Sequence, residues 1–256
     1  MKNLWNSFKI AFAMFSKIPM PQAEWTEKNM QYMFCFFPFI GVVIGALTYG
    51  AALFGNQFSF NSVFVCAILV VIPVFVTGGI HVDGLLDTAD AMSSWQERSR
   101  RLEILKDSNA GAFAVITACV FFLLEFGAYN QIWTNPDAVF VVSVGFAISR
   151  CLSGIGVVII PKARKDGTVA EFSKNAQDVK VCAVLWVYMV LLFTLLAWKA
   201  PVAGTATFIS ALGVFAYYKH MAMKYFGGTT GDLAGFFLCT CEAVILVVTA
   251  VLTTIM

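Results

Sequence analysis

Residues 60–90 read FNSVFVCAILVVIPVFVTGGIHVDGLLDTAD. From Phe60 to Ile80 the stretch carries no charged side chain. Its length matches the roughly 20 apolar residues that take a helix across a hydrocarbon core of about 30 Å. Gly78 and Gly79 then interrupt it, and Asp83, Asp87 and Asp90 follow. An apolar crossing that runs into an acidic segment indicates a membrane-spanning helical chain with polar chemistry at one rim.

The rest of the chain agrees. Of its 256 residues 59% are hydrophobic and 12% charged, with 25 Phe and 6 Trp, and the mean hydropathy is +0.79. A soluble domain carries about 25% charged residues. So much apolar surface cannot all turn inward, which excludes a soluble enzyme, a disordered chain and a secreted disulfide scaffold. Apolar runs between charged breaks give seven spans, at about 32–54, 60–80, 111–130, 138–160, 180–198, 202–218 and 233–254. The expected fold is all-α: a polytopic integral membrane protein with about seven transmembrane helices. Only Lys199-Ala-Pro201 separates the fifth span from the sixth, as in a hairpin. Residues 1–18 put Leu4, Phe8, Phe12 and Phe15 on one face and Lys2, Lys9 and Lys17 elsewhere. That pattern suits an N-terminal interfacial helix stopped by Pro19 and Pro21, and no cleavable signal peptide is visible. No repeat or soluble insertion interrupts the pattern, so residues 1–256 read as a single membrane-embedded domain. The seven cysteines, mostly inside apolar runs, read as reduced packing residues.

Lys and Arg mark the cytoplasmic side of a membrane chain. Fifteen of the seventeen fall in alternate segments: Lys2, Lys9, Lys17 and Lys28; Arg98, Arg100, Arg101 and Lys106; Lys162, Arg164, Lys165, Lys174 and Lys180; Lys219 and Lys224. The other two are Lys199, in an opposite loop, and Arg150, inside a span. This asymmetry places the N-terminus in the cytoplasm and the C-terminus outside. Every polar, glycine-bearing loop is then cytoplasmic, so chemistry is expected on cytosolic substrates. The formal net charge of +2 gives no reason to expect nucleic acid.

Asp83, Asp87 and Asp90 stand at i, i+4 and i+7, within an arc of about 60° on one helix face. Three carboxylates this close repel one another, and a divalent cation resolves the repulsion. Mg²⁺ suits the donors, because it combines carboxylate oxygens with phosphate oxygens and water. The plainer alternative is a solvated acidic helix face. It accounts poorly for Leu85, Leu86 and Ala89 on the other face and for His81 two residues upstream. His81 reads as a general base, a metal-shell residue or a hydrogen-bonded helix-start histidine. Arg98, Arg101, Leu102 and Leu105 suggest an amphipathic surface helix, and Asp107 after it is an N-cap of the third span or a fourth site carboxylate.

Three further groups stand out. Arg150, inside the fourth span, must face protein or a watery cavity; it either pairs with Glu125 or Glu242 or holds an anionic ligand. Arg164, beside Asp166-Gly167, is a candidate phosphate binder, while Lys162 and Lys165 read as topological. Gly227-Gly-Thr-Thr-Gly-Asp232 opens the last span. Glycines before a helix start leave N–H groups for an anion, so Gly228, Thr230, Gly231 and Asp232 are candidate substrate contacts, with Asp232 alternatively a helix cap.

The Gly-Gly-x-His-x-Asp-Gly-x-x-Asp-x-x-Asp motif of 78–90 resembles that of the cobalamin synthase (adenosylcobinamide-GDP ribazoletransferase) family. So do residues 101–108, Ser149-Arg150, Ala163-Arg164, the 227–232 loop, Phe15–Pro21 and Phe37–Gly41. Asn109 and Thr168 depart from the family pattern, where a basic and an aliphatic residue are usual. The resemblance implies a Mg²⁺-dependent enzyme of the prokaryotic cytoplasmic membrane. Its substrates would be adenosylcobinamide-GDP and α-ribazole or its 5′-phosphate, and its products GMP and adenosylcobalamin or adenosylcobalamin 5′-phosphate. On that reading Asp83, Asp87 and Asp90 hold metal and diphosphate, His81 or Asp107 takes the hydroxyl proton, and Arg150, Arg164 and the 227–232 loop hold phosphate or nucleotide. Association with other cobalamin-assembly enzymes fits such a role, and a homo-oligomer stays open.

Two other readings compete. A CDP-alcohol phosphatidyltransferase needs Asp-Gly-x-x-Ala-Arg, whereas here Asp87-Thr88 stand in place of Ala-Arg. A cation-coupled transporter would use Glu125, Arg150 and Glu242 as a midplane relay, but most acidic residues lie at one rim.

Overall fold

The computed structural model describes residues 2–107, 109–164 and 178–255. Ser108, Lys165, Asp166, Gly167, Thr168 and Lys174 lie outside the described residues. The elements are α1 (Lys2–Phe15), α2 (Glu27–Met30), α3 (Met33–Gln57), α4 (Ser62–Thr77), α5 (Ile80–Ser93), α6 (Arg98–Ile104), α7 (Ala112–Ile132), α8 (Pro136–Ile159), α9 (Asp178–Lys199), α10 (Pro201–Met221) and α11 (Gly231–Ile255). A π-helical turn, Ala222–Phe226, continues α10. Among the described residues there is no strand, only a parallel bridge between Lys162 and Thr229.

Among the described residues six helices, α3 and α7 to α11, are long and apolar enough to cross a membrane, and the α4–α5 pair, bent by 94°, makes a seventh if it counts as one span. This is a multi-pass membrane protein. The apolar part of that pair is α4, whose 16 residues rise about 24 Å. The following α5, with its three aspartates, forms the rim beyond it.

Helix α8 is the axis of the bundle. Nearly every residue from Ala138 to Val157 is buried, and α3, α9, α10 and α11 pack round it. The approach of α3 is closest. A Cβ at Gly41 would meet the backbone at Phe146–Ala147, and one at Gly45 the backbone of Ser143, the small-residue spacing that lets membrane helices touch. The exposed large side chains, among them Phe75, Leu123, Val190 and Trp198, are those of a surface that faces lipid.

The N-terminal helix packs Phe8, Phe12 and Phe15 of its expected apolar face on the core and buries polar residues beside them. Leu4 and Trp5 are exposed, while Asn6, Ser7, Lys9, Ile10 and Ala11 are buried as α1 docks on α3. Two polar anchors account for the buried polar residues: Lys9 Nζ donates to the Gln22 carbonyl at 2.8 Å and Ser7 Oγ to the Asn29 carbonyl. Buried donors with such partners cost little, so the apolar pattern alone does not set the face. All seven cysteines are free.

Candidate active site

The bend that creates the site is written in Gly78 and Gly79, whose φ values of 67° and 80° lie in the left-handed region, open to glycine at no steric cost. Beyond the bend, α5 runs against the start of α11. Gly84 and Gly235 make this possible: a Cβ at Gly84 would sit 2.6 Å from the Asp232 carbonyl oxygen, and one at Gly235 would sit 2.9 Å from that of His81. The close crossing puts His81, Asp83 and Asp232 on one cavity of about 310 Å³.

Five carboxylates share this end of the bundle. Partial burial, then repulsion from Asp83, Asp232, Asp90 and Asp107, pushes the Asp87 pKa up to about 6. The ion pairs among the described residues, Arg100–Glu103 and Arg150–Glu242, involve none of the five. Asp90 has a second task. It accepts from the amides of Gly111 at 2.6 Å and Ala114 at 2.9 Å, so it caps α7 from another helix. Asp107 does not cap that helix. It is exposed and turns back on Asn109, accepting from its amide and side-chain nitrogens, which hold its carboxyl below the usual range.

Among the described residues no group of three or more His, Cys, Asp or Glu side chains is placed to hold a metal ion. The donors nevertheless fit Mg²⁺. They are hard carboxylate oxygens in mutual repulsion, and Mg²⁺ is held by one or two carboxylates and completed by substrate phosphates and water.

His81 is 8% exposed and its Nε2 has no hydrogen-bond partner. Its ring meets Phe37 edge-on with centroids 6.1 Å apart. Burial, with the Arg150 charge, pushes its pKa down to about 3, so the imidazole is neutral.

Arg150 does not line this cavity. It is 1% exposed and pairs with Glu242, while also donating to the Phe146 carbonyl and Ser149 Oγ. Of the two alternatives for this residue, the structure supplies the ion pair with Glu242. Arg164 lies nearer the site: it donates to the Leu102 carbonyl, its charge is felt at Asp232, and its Nε has no partner.

The 227–232 loop is mainly a joint. The Gly227, Gly228 and Thr229 amides donate to the carbonyls of Met223, Ala222 and Pro161, so none is open to an anion. Gly228 is glycine because its φ is 155° and the backbone of 161–163 presses on its Cα. Thr230, rather than Asp232, caps α11, its Oγ1 accepting from the Leu233 amide at 3.2 Å. The sequence reading missed Gly235 and Ser153 of the cavity wall. Gly235 carries a signal, as an in-register glycine in the first turn of a span, and Ser153 carries none.

A family model described as cobalamin-5-phosphate synthase matches residues 7–250. The chain belongs to the cobalamin-5-phosphate synthase family. A relative from Lachnoclostridium phytofermentans, an adenosylcobinamide-GDP ribazoletransferase, is 42% identical over 237 residues, covering 93% of this chain and 90% of its own. Enzymes of the same name from Desulfitobacterium hafniense and Clostridium botulinum are 30% and 29% identical, covering 92% and 95% of this chain and 91% and 96% of theirs. No solved structure matches. The chain is thus an enzyme of cobalamin biosynthesis, with adenosylcobinamide-GDP ribazoletransferase activity. The cavity between α5 and α11 carries His81, Asp83 and Asp232 in its wall.

Proposed function

We propose that this enzyme joins adenosylcobinamide-GDP to α-ribazole or its 5′-phosphate by Mg²⁺-dependent phosphoryl transfer at the cytoplasmic face of a prokaryotic inner membrane. The observation that carries the reading is the convergence of Asp83, Asp87, Asp90, Asp107 and Asp232 at the end of the bundle that also holds Arg98, Arg101 and Arg164. Carboxylates placed together repel one another, a cost that a bound cation removes.

Asp83 and Asp87 would hold the cation, with Asp90 free to contribute its remaining lone pairs. Bound there, Mg²⁺ supplies neutralisation of the diphosphate charge. Arg164, with the Thr230 and Gly231 end of α11, holds phosphate oxygens, and the helix start favours that charge. The ribazole 3′-hydroxyl oxygen forms a bond to the phosphorus on the cobinamide side. The bond from that phosphorus to the bridging oxygen breaks, and GMP leaves with the electron pair. Neutral His81, its Nε2 without a partner, accepts a hydrogen bond from that hydroxyl and orients its oxygen, and the hydroxyl proton leaves on the GMP phosphate. Asp107 is bound to Asn109 and held ionised, so it adds to the field on the cation instead. In-line geometry and charge neutralisation are what phosphoryl transfer needs.

The test is GMP release by the detergent-purified enzyme from adenosylcobinamide-GDP and α-ribazole 5′-phosphate, with and without Mg²⁺. Metal-dependent GMP and a cobalamin product are expected. Folded, lipid-restored protein that releases none would overturn the reading.

A further inference from the structure

The cavity between α5 and α11 is lined by two kinds of residue: His81, Asp83, Asp232 and Ser153 are polar, while Phe15, Phe34, Phe37, Leu238 and Val157 are apolar, with the Phe37 ring edge-on to that of His81. The aromatic side is one continuous wall: Phe15 stands 4.4 Å from Phe37 and 6.2 Å from Phe34 between ring centroids. Among the described residues no Lys or Arg lines the cavity.

We propose that this cavity is the ribazole site, with the benzimidazole ring against the phenylalanines and the ribose turned to His81 and Asp83. The assignment rests on the ribazoletransferase reading and deepens it. Size is the first argument. About 310 Å³ is the low end of small-molecule sites; it suits a bicyclic riboside and excludes a corrin macrocycle with its amide arms. The lining is the second: among the described residues no Lys or Arg stands in the wall to pair with a buried diphosphate. The third argument separates the two heteroaromatic bases in the reaction. Guanine carries several hydrogen-bonding groups along its edge, and burying them against phenylalanines leaves them unpaired, at about 1–3 kcal/mol each. A dimethylbenzimidazole presents one ring nitrogen and two methyl groups, and aromatic walls accept its flat face. The fourth is the unpartnered Nε2 of a His81 that is 8% exposed: a ribose hydroxyl beside the ring satisfies it. A base seated on the phenylalanines thus delivers the nucleophilic hydroxyl to the carboxylates.

Two variants of wall residues outside the reacting groups test this. Val157→Phe narrows the cavity at its apolar wall and should raise KM for α-ribazole about tenfold or more, with KM for adenosylcobinamide-GDP nearly unchanged. Leu238→Ala widens it and should let the enzyme use ribosides of bases bulkier than dimethylbenzimidazole, a gain that misfolding cannot produce. Equilibrium dialysis of labelled α-ribazole against wild type and Val157→Phe, without the GDP substrate, gives a readout apart from turnover; excess guanosine should not displace the label. If wild type releases no GMP, the ribazoletransferase reading fails, and dialysis still decides the pocket. If both variants are active with unchanged ribazole KM and base preference, or if KM for adenosylcobinamide-GDP rises instead, the pocket assignment is wrong and the transferase reading stands.

Discussion

Gly84 lies directly against the backbone of Asp232, so close that a Cβ on Gly84 would stand 2.6 Å from the Asp232 carbonyl oxygen. The obstacle is backbone, which cannot swing aside as a side chain would. In Gly84→Ala the two helices must part. Overpacking of this kind costs about 1–3 kcal/mol, and the parting moves Asp83 away from Asp232 across the cavity. Thermal unfolding in detergent should shift downward and GMP release should fall by more than the stability loss explains. Full activity in Gly84→Ala would show that the α5–α11 distance does not set the site.

Asp87 and Asp90 share a helix face but differ in their partners. Asp90 holds the Gly111 and Ala114 amides, whereas Asp87 faces other carboxylates. Asp90→Ala should therefore destabilise the fold by about 0.5–2 kcal/mol, the ordinary value of a helix cap, and weaken Mg²⁺ dependence as a further effect. Asp87→Asn removes repulsion, so the metal-free protein should be as stable as wild type or more so, while its Mg²⁺ requirement rises sharply. Melting curves with and without Mg²⁺ separate the two. Equal losses of stability in both would contradict the division of labour.

The long apolar helices and the rim motif were legible because membrane insertion demands long uncharged runs, and a run of that length stands out in a single sequence; the 94° bend between α4 and α5 was not. What local pattern could not show were contacts between distant segments. Asp90 caps a helix that starts more than twenty residues later. The 227–229 amides are engaged by the Pro161 carbonyl and the π-helical turn, so a loop that resembled an anion cradle is a joint. The buried edge of α1 follows Lys9 and Ser7, whose partners at Gln22 and Asn29 lie beyond the helix itself. Periodicity registers apolar side chains and is blind to a buried lysine with a carbonyl waiting for it. Glycine was the most informative residue type at the site, at Gly78, Gly79 and Gly84, yet spacing alone does not say which backbone each one meets.

Arg150 and Glu242 make a buried ion pair, supported by Ser149 Oγ, which donates to Glu242 at 2.7 Å. Removing one partner strands the other charge, at about 3–5 kcal/mol, while replacing both by apolar residues is often neutral. Arg150→Met should thus be poorly folded, and Arg150→Met combined with Glu242→Met should regain most of the stability. Ribazole transfer is expected to return with it. A stable double variant that bound adenosylcobinamide-GDP poorly would instead make Arg150 a substrate contact.

The crowding around Asp87 also sets a pH dependence. Its pKa stands at about 6, against 3.8 for the free side chain. Between those values the folded protein keeps a proton that the unfolded chain has lost, so without metal its stability falls as pH rises through that window. Above about 6 the carboxylate is ionised, repulsion is greatest, and a divalent cation gains most from binding. Protons and Mg²⁺ therefore compete for the site. The Mg²⁺ concentration needed for half-maximal GMP release should be flat above pH 7 and climb as pH drops below about 6, with a slope near one proton per metal. Asp87→Asn should flatten that dependence while raising the requirement at every pH. A Mg²⁺ requirement independent of pH from 5 to 8 in the wild type would remove Asp87 from the metal site and leave the acidic face to be explained by substrate charge alone.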